Sequence, residues 1–308
     1  MARSLRDLRR KMKAIKSTRQ VTKAMELVAA SKMRKAVQNA QNLRRYAFRA
    51  WTILNHLADV HPNVHPYLEE REPKKVLAIL FTPDRGLCGS LNAQILRAVQ
   101  NYLKGVKDLP TFEGIDFIAV GRKGQQHLAR AKEHVIAAFP AFSSYPTFRD
   151  VLPVARMATE GFLQNTYDHV VLIYPDFISP LVQEPTVKVL LPFTKSSLRE
   201  MLGSILPKRY ERETEKELEK VIVGEYLFEP TQDEILRVIL PQLTETQIYQ
   251  AALEAGASEH SARMVAMRSA SDNATDLLGD LTIVYNQTRQ AGITAELAEL
   301  SAAAAALR

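Results

Sequence analysis

The sequence predicts long α-helices combined with an α/β domain: an antiparallel coiled coil of N- and C-terminal helices with an inserted Rossmann-like α/β domain. Residues 1–60 and 231–308 both carry apolar side chains at helical spacing, and the residues between them alternate apolar runs with helical stretches. We therefore expect 1–60 and 231–308 to form a discontinuous coiled-coil shaft. Residues 74–230 are expected to form the α/β domain at its foot.

The N-terminal helix is predicted from apolar or small side chains that recur every three or four residues between Leu5 and Leu57, as in the seam of a coiled coil. No proline or glycine interrupts this stretch. At a rise of 1.5 Å per residue, a helix from about Arg3 to Asp59 would extend roughly 80 Å. Its apolar stripe needs a partner along this length, because a compact domain cannot cover it.

The α/β domain is predicted from a change of pattern that follows the prolines at 62, 66 and 73, which break the helix. Short apolar runs, typical of buried parallel strands, then alternate with helical stretches. The predicted strands are Val76–Phe81, Phe117–Val120, Val135–Phe139, Val170–Tyr174 and Val187–Leu191, and the predicted helices are Leu91–Leu103 and Leu152–Gln164. The almost wholly charged stretch Lys208–Lys220 is interpreted as a solvated helix or loop.

The C-terminal helix is predicted from about Thr231 to the end of the chain, with apolar side chains from Leu236 to Ala291 at helical multiples. Pro241 is expected to start or kink it. Three glycines are expected to weaken it slightly: Gly256, Gly279 and Gly292. Antiparallel pairing with the N-terminal helix is the simple arrangement that covers both apolar stripes.

Positive charge is concentrated at the start of the chain. Residues 1–50 hold 15 Lys and Arg against Asp7 and Glu26, a balance of +13, whereas the whole chain carries +7 and the remainder therefore −6. Like charges three or four residues apart repel, which favours an acidic counter-surface over a merely solvated face. On charge alone, that surface could be nucleic acid, anionic lipid or an acidic protein.

The segment Gly86-Leu-Cys-Gly-Ser follows a predicted strand and opens a helix, which is the setting of a phosphate-binding loop. It lacks both glycine spacings of the nucleotide-binding motifs and is interpreted as a tight strand-to-helix turn. Cys88 is interpreted as a small buried residue. The sequence contains no convincing catalytic constellation and no zinc-finger pattern, so we expect no catalytic residues, cofactor or metal.

Two functional classes compete with a mechanical role. The first is an α/β nucleotide-binding enzyme with a coiled-coil dimerisation arm, which would use Gly86 and Gly89. The second is a basic coiled coil that binds nucleic acid. Aromatic residues that could stack on bases are sparse in 1–50, where only Tyr46 and Phe48 occur, and their scarcity weakens the nucleic-acid hypothesis.

Distinctive motifs lie along the entire chain. They are Thr22-Lys-Ala-Met-Glu-Leu-Val-Ala-Ala-Ser-Lys-Met-Arg-Lys35, Asp84-Arg-Gly-Leu-Cys-Gly-Ser-Leu-Asn92, Glu225-Tyr-Leu-Phe-Glu-Pro230, Ala262-Arg-Met-Val-Ala-Met-Arg268, Tyr285-Asn286 and Ile293-Thr-Ala-Glu296. In this order they resemble the motifs of bacterial F-type ATP synthase gamma subunits. One position departs from that pattern: Ala303 stands where the family usually has glycine. Alanine favours helix by about 1 kcal/mol, so we expect a more persistently helical tip.

The resemblance implies a non-catalytic central stalk that transmits torque between the membrane ring of a proton- or sodium-driven rotary ATP synthase and its catalytic alpha/beta hexamer. The implied partners are three alpha and three beta subunits, an epsilon subunit and the c-ring, with no nucleic acid. Membrane association would occur only through the complex, as a peripheral protein on the cytoplasmic face of the bacterial plasma membrane.

The resemblance also implies three groups of contact residues. The acidic lever segments of the beta subunits would meet Met25, Lys32 and Arg34. Catch loops would meet Arg289, Gln290, Thr294 and Glu296. The epsilon subunit and the c-ring would meet Tyr226 and Glu229.

Overall fold

A computed structural model describes residues 5–58, 65–142, 146–193 and 231–306. In these ranges the helices are α1 (Leu5–Ala58), α2 (Leu91–Lys107), α3 (Arg122–Ala131), α4 (Phe148–Leu163) and α5 (Gln232–Ala306), with a short 3-10 turn at Pro66–Leu68. The strands are β1 (Lys75–Phe81), β2 (Gly114–Val120), β3 (His134–Phe139), β4 (His169–Phe177) and β5 (Gln183–Leu191). Within these ranges, no helix has the length and apolar character needed to cross a bilayer.

The five strands form one sheet in the order β3-β2-β1-β4-β5. β1 to β4 are parallel, and β5 pairs antiparallel with β4 at one edge. β1 is central and buried along nearly its whole length, which explains its continuous apolar run. The predicted mostly parallel sheet is therefore confirmed.

Helices cover both faces of the sheet, so it has two apolar cores. On one face, α2 and α3 pack with alternate strand residues such as Ala78 and Phe117. On the other face, α4 and the first part of α5 pack with residues such as Ile79 and Leu172. Each strand thus alternates its side chains between two buried faces, as a doubly covered α/β sheet requires.

The elements agree with the sequence predictions except at a few positions. All five predicted strands exist, and the two predicted helices exist with bounds shifted by up to four residues. The sequence analysis missed α3, because this helix has only Gly124 and Leu128 buried and is otherwise polar. Pro241 lies inside α5 and does not start it. The stretch Lys208–Lys220 lies outside the described residues.

The chain divides into two compact units. The helical unit comprises residues 1–30 and 263–308, and the α/β unit comprises residues 31–262. The start of α1 therefore shares a unit with the end of α5, and the rest of α1 shares a unit with the start of α5. The predicted domain boundaries at 60, 74 and 231 stay a prediction.

Replacing Gly256 by alanine is expected to stabilise the α/β unit. Gly256 lies in the interior of α5, and a Cβ there would have no heavy atom within 4 Å. Alanine should therefore add helix propensity worth about 1 kcal/mol without a clash. Thermal unfolding should shift upward by about 2–4 °C.

The control for this change is Gly124→Ala in α3. A Cβ at Gly124 would lie 2.9 Å from Oγ1 of Thr82 and 3.0 Å from Cδ2 of Leu80. This variant should lower the unfolding temperature although its helix propensity also rises. If both alanines stabilised the chain equally, the close packing of α3 on β1 would be contradicted.

Candidate functional site

The helical unit is held together by a narrow seam of small and apolar side chains. On α1, Leu8, Thr22 and Ala29 are buried, and Leu8 is only 1% exposed. The buried residues of α5 in this unit are Met267, Ser271, Ala274 and Leu281. Small residues at a helix seam allow close approach of the two backbones, so most of each helix surface stays outside the seam.

One cross-helix contact in the helical unit joins a charge to an aromatic ring. Nε of Arg9 donates a 2.8 Å hydrogen bond to the hydroxyl of Tyr285, and the guanidinium carbon lies 5.4 Å from the ring centroid. The guanidinium group thus meets both the phenol oxygen and the ring. This contact fixes Arg9 opposite Tyr285.

The outer surface of α1 in this unit is strongly basic. Its exposed cations include Arg6, Arg9, Arg10, Lys11, Lys13, Lys16 and Lys23. Arg10 lies 3.2 Å from Asp7, and Lys23 lies 2.9 Å from Glu26. Exposed pairs of this kind contribute little stability and leave a large excess of positive charge. The surface therefore suits an acidic partner.

The end of α5 carries an uncovered apolar stripe. From Arg289 to Ala303 every residue except Gly292 is exposed. Three of them, Ile293, Leu297 and Leu300, recur at helical spacing and therefore lie on one face. Contiguous exposed apolar side chains mark interaction sites. The helix continues through Ala303 to Ala306.

The predicted contact residues are distributed over the two helices. Met25 and Lys32 are half-buried on α1, and Arg34 is exposed there. All four predicted catch-loop residues are exposed on α5: Arg289, Gln290, Thr294 and Glu296. The hydroxyl of Thr294 donates to the carbonyl of Gln290 at 3.0 Å. Tyr226 and Glu229 lie outside the described residues.

The loop after β1 is a tight turn between β1 and α2. Leu87 and Gly89 have positive φ angles of 63° and 59°, and Cys88 between them is buried, as the sequence analysis predicted. Nδ2 of Asn92 contacts the Cys88 sulfur at 3.2 Å. A buried thiol here fills space in the core below α2.

Asp84, in the same loop, connects the segments that follow β1, β2 and β3 at the carboxyl edge of the sheet. Its Oδ1 accepts hydrogen bonds from the backbone N–H of Arg122 at 2.9 Å and of Ala141 at 3.0 Å. The carboxylate thereby caps the N-terminus of α3 from 38 residues away in sequence. It also places negative charge at the edge where a nucleotide-binding fold would hold phosphate, which argues against that use. No local motif in the sequence indicates this cap.

The shifted pKa values belong to structural groups. Burial raises the pKa of Tyr102 to about 12. Burial also raises the pKa of Tyr167, whose hydroxyl in addition donates a 2.7 Å hydrogen bond to Asp116. Both shifts extend to higher pH the range in which the phenol stays protonated. Across the described ranges, no group of three or more His, Cys, Asp or Glu side chains could hold a metal ion.

Comparison with known proteins identifies the family. Residues 4–307 match the family model described as ATP synthase. The chain is 40% identical over 307 residues to an ATP synthase gamma chain of Roseiflexus castenholzii, covering 99% of this chain and 98% of the relative. It is 42% identical over 306 residues to that of Opitutus terrae, covering 97% of each.

The chain belongs to the ATP synthase gamma-chain family. A gamma chain of Cupriavidus necator is a further relative, 40% identical and covering 98% of this chain and 99% of its own length. The resemblance seen in the sequence motifs is thereby confirmed.

Solved structures share the fold of this gamma chain. A chain from the central stalk and c-ring of the Tetrahymena thermophila mitochondrial ATP synthase matches with a TM-score of 0.58 and 26% identity, covering 82% of this chain and 99% of that one. A chain from the Euglena gracilis mitochondrial ATP synthase matches with a TM-score of 0.65 and 20% identity, covering 98% and 94%. The combination of two long helices with an α/β sheet is therefore confirmed.

Proposed function

We propose that this gamma chain is the non-catalytic central shaft of a proton- or sodium-driven rotary ATP synthase. It transmits torque between a membrane-embedded c-ring and a catalytic hexamer of three alpha and three beta subunits. The observation that carries the proposal is the pairing of helices from the two chain ends in one unit whose outer surface is basic and partly apolar. Family membership supports the same role.

The basic surface of α1 supports contact with acidic lever segments of the beta subunits. Met25, Lys32 and Arg34 are the residues we assign to this contact. Met25 and Lys32 are half-buried: Met25 offers an apolar side chain, and Lys32 offers an apolar stem with a charged ammonium group. Arg34 offers an exposed guanidinium group. Long-range attraction between the excess cations of α1 and an acidic lever would also speed assembly.

The exposed end of α5 supports a second contact, with the upper parts of the hexamer. The apolar stripe of Ile293, Leu297 and Leu300 would turn inside an apolar sleeve formed by the alpha and beta subunits. The polar groups that surround this stripe would bind catch loops: Arg289, Gln290, Thr294 and Glu296. In this arrangement the apolar stripe makes non-directional contacts that allow rotation. The polar groups make contacts that depend on the rotational angle of the shaft.

Coupling follows from asymmetry of the helical unit. α1 is basic, whereas the exposed face of α5 carries Asp272, Asp276 and Asp280 at successive helical turns. Three equivalent catalytic subunits around this unit therefore meet different surfaces at any moment. Each contact can stabilise an open or a closed state only if it differs between the two states. Rotation then drives each catalytic site through binding, synthesis and release.

A separate region of the chain would connect to the membrane part of the enzyme. We assign the contact with the epsilon subunit and the c-ring to Tyr226 and Glu229, together with the α/β unit. The chain itself would be a peripheral protein at the cytoplasmic face of the bacterial plasma membrane, held there through the complex. It would need neither a cofactor nor bound nucleic acid.

The catch-loop assignment predicts a loss of coupling when Thr294 and Glu296 are replaced together. In the complete enzyme reconstituted in vesicles, Thr294→Ala with Glu296→Gln should lower coupled ATP synthesis about tenfold. One charge-assisted hydrogen bond is worth about 1.5–3 kcal/mol, and 1.36 kcal/mol corresponds to a factor of ten. The uncoupled ATPase activity of the beta subunits should fall less.

The matched control replaces Thr282 and Gln287, two exposed polar residues of the same helix that are assigned to no contact. Thr282 donates to the carbonyl of Leu278 at 2.7 Å, the same bonding pattern as Thr294. Thr282→Ala with Gln287→Ala should leave coupled synthesis within twofold of the wild type. Equal losses in both double variants would contradict a specific catch-loop contact, and full activity in the first would contradict it outright.

A further inference from the structure

Polar contacts join the first part of α5 to the rest of the α/β unit. On α5 they come from Gln247, Tyr249 and Ser261, of which Gln247 and Ser261 are buried and Tyr249 is half-buried. Hydrogen bonds of such groups are directional, unlike the apolar contacts of the same helix. None of the three is among the residues assigned to contacts with other subunits. Their contacts therefore fix α5 within its own unit.

The first set of contacts reaches the hairpin of β4 and β5. Nζ of Lys188 on β5 donates to Oε1 of Gln247 at 3.0 Å, and both side chains are buried. Oγ of Ser261 donates to the carbonyl of Pro180, in the turn between the two strands, at 2.7 Å. Two backbone hydrogen bonds, of 3.0 and 3.1 Å, close that turn. The hairpin therefore offers α5 partners in fixed positions.

The second set of contacts reaches the start of α4. The hydroxyl of Tyr249 donates to the carbonyl of Pro146 at 3.1 Å, and its ring meets that of Phe148 edge to face, with 5.7 Å between the centroids. A capping box holds this segment: the N–H of Thr147 donates to Oδ2 of Asp150 at 2.7 Å. The partners of Tyr249 are therefore fixed as well.

The two sets of contacts lie on opposite sides of α5. Each residue of a helix turns it by about 100°, so Tyr249 lies about 200° round from Gln247, and Ser261 lies within about 40° of Gln247. Ile248, which lies between Gln247 and Tyr249, is 0% exposed and belongs to the apolar core that α5 forms with the sheet. Directional contacts thus flank the apolar face of the helix on both sides.

Contacts on opposite sides of a helix resist its rotation about its own axis. A helix with its side chains is about 10–12 Å wide, so each contact acts about 5 Å from the axis. Rotation of α5 in either direction would carry Gln247 and Tyr249 away from their partners. A bond on one side alone could act as a hinge, whereas bonds on both sides hold the rotational angle.

We propose that Gln247, Tyr249 and Ser261, here named the clamp, hold α5 against rotation within the α/β unit, so that torque passes between the sheet and α5 at this place. This rests on the proposed function, in which the chain is a shaft. α5 is one continuous helix from Gln232 to Ala306, so torque applied at the clamp is carried along it. The clamp residues act by positioning α5 and need no contact with another subunit.

Removing one hydrogen bond on each side tests the clamp in the complete enzyme reconstituted in vesicles. Tyr249→Phe keeps the ring contact and loses the hydroxyl, and Ser261→Ala loses the bond to Pro180. ATP synthesis driven by an imposed ion gradient should fall about tenfold in the double variant, the factor that 1.36 kcal/mol represents, because two neutral hydrogen bonds together contribute about that much. Each single variant should show about a threefold loss, as independent contributions do. ATP hydrolysis without a gradient should fall less, because no opposing load acts on the shaft.

The matched control is Thr244→Val with Tyr167→Phe. It also removes two hydroxyl hydrogen bonds of the α/β unit, but neither joins α5 to another element. Oγ1 of Thr244 donates to the carbonyl of Leu240 within α5 at 3.0 Å, and the hydroxyl of Tyr167 donates to Asp116 on β2 at 2.7 Å. A bond to a carboxylate is worth at least as much as a neutral one, so the control loses no less stability. Its gradient-driven synthesis should nevertheless match that of the wild type.

The outcomes separate this inference from the proposed function. If the wild-type enzyme shows no gradient-driven synthesis, the proposed function and the clamp fall together. If the wild type synthesises ATP and the clamp variant does so equally well, the clamp alone is overturned. Equal losses in the clamp and control variants would reflect stability only and would overturn it too. If the double variant does not assemble with alpha and beta subunits, the two single variants decide by the same comparison.

Discussion

Replacing Gly121 by alanine is expected to lower the free energy of unfolding of the α/β unit by about 2–6 kcal/mol. Gly121 follows β2 with φ +100° and ψ 140°, a conformation that only glycine adopts without strain. A Cβ there would lie 1.8 Å from the carbonyl oxygen of Thr82. The chain cannot shift freely, because the N–H of Gly121 donates to the carbonyl of Phe139 at 2.8 Å. Backbone strain and overpacking each cost about 1–3 kcal/mol, and here they add.

Urea unfolding followed by far-ultraviolet circular dichroism measures this loss. The control is Gly86→Ala in the loop after β1, where an added Cβ would have no heavy atom within 4 Å. That variant should change the free energy of unfolding by less than about 1 kcal/mol. If Gly121→Ala unfolded at the urea concentration of the wild type, the close crossing of β1 and the β2–α3 connection would be contradicted.

The sheet could be predicted from sequence because its strands are buried on both faces. Runs such as Val76–Phe81 and Val170–Tyr174 are continuously apolar, and this pattern needs no information from distant residues. At the edge of the sheet, hydrophobic patterning predicts less. The first half of β5 is partly exposed and carries polar residues, so only the end of this strand was predicted. α3 was missed for the same reason, because a short helix with two buried residues leaves no periodic signal.

Contacts between distant residues could not be predicted. Thr82 accepts a 2.8 Å hydrogen bond from the N–H of Gly124, and Asp84 caps the same helix, yet neither residue belongs to a local capping motif. Along α5, polar residues that look solvent-facing in the sequence are buried, including Gln247, Gln250, Ser258 and Ser261. Nζ of Lys188 on β5 contacts Oε1 of Gln247 at 3.0 Å, which explains one of them. Periodicity alone assigns such positions to the surface.

The candidate contact sites had a different origin. Charge counting indicated a basic α1 and an acidic partner, but the individual residues came from motif resemblance. Exposure agrees with a contact role for Arg34 and for the catch-loop residues, although exposure is common on any long helix.

Replacing Leu8 by aspartate is expected to separate α1 from α5 in the helical unit. Leu8 is 1% exposed and is the largest fully buried side chain that α1 contributes in this unit. Removing a buried leucine costs about 2–5 kcal/mol, and a buried carboxylate without a partner adds further desolvation cost. Other buried positions of the seam are small, such as Ala29 and Ala274, so they can compensate for only part of the loss.

Hydrogen exchange in the free chain should show the separation directly. In Leu8→Asp, amides of 5–30 and 263–303 should exchange at least a hundredfold faster than in the wild type, since 2.7 kcal/mol or more of protection is about that factor. Amides of the sheet should be unaffected, because they belong to the other unit. In the assembled enzyme, loss of the pairing between α1 and α5 should also lower coupled ATP synthesis. A separated α1 cannot present its basic surface in a fixed orientation.

Leu27→Asp is the matched control, because it places the same charge on the same helix at a leucine that is 61% exposed. Exchange in the helical unit should then stay within about threefold of the wild type, as expected for a surface substitution worth no more than about 0.5 kcal/mol. The difference in exchange rates between Leu8→Asp and Leu27→Asp separates the effect of disrupting the seam from the general effect of an added charge. Unchanged exchange in both variants would mean that Leu8 does not hold the two helices together, and the mechanical role would lose its structural basis.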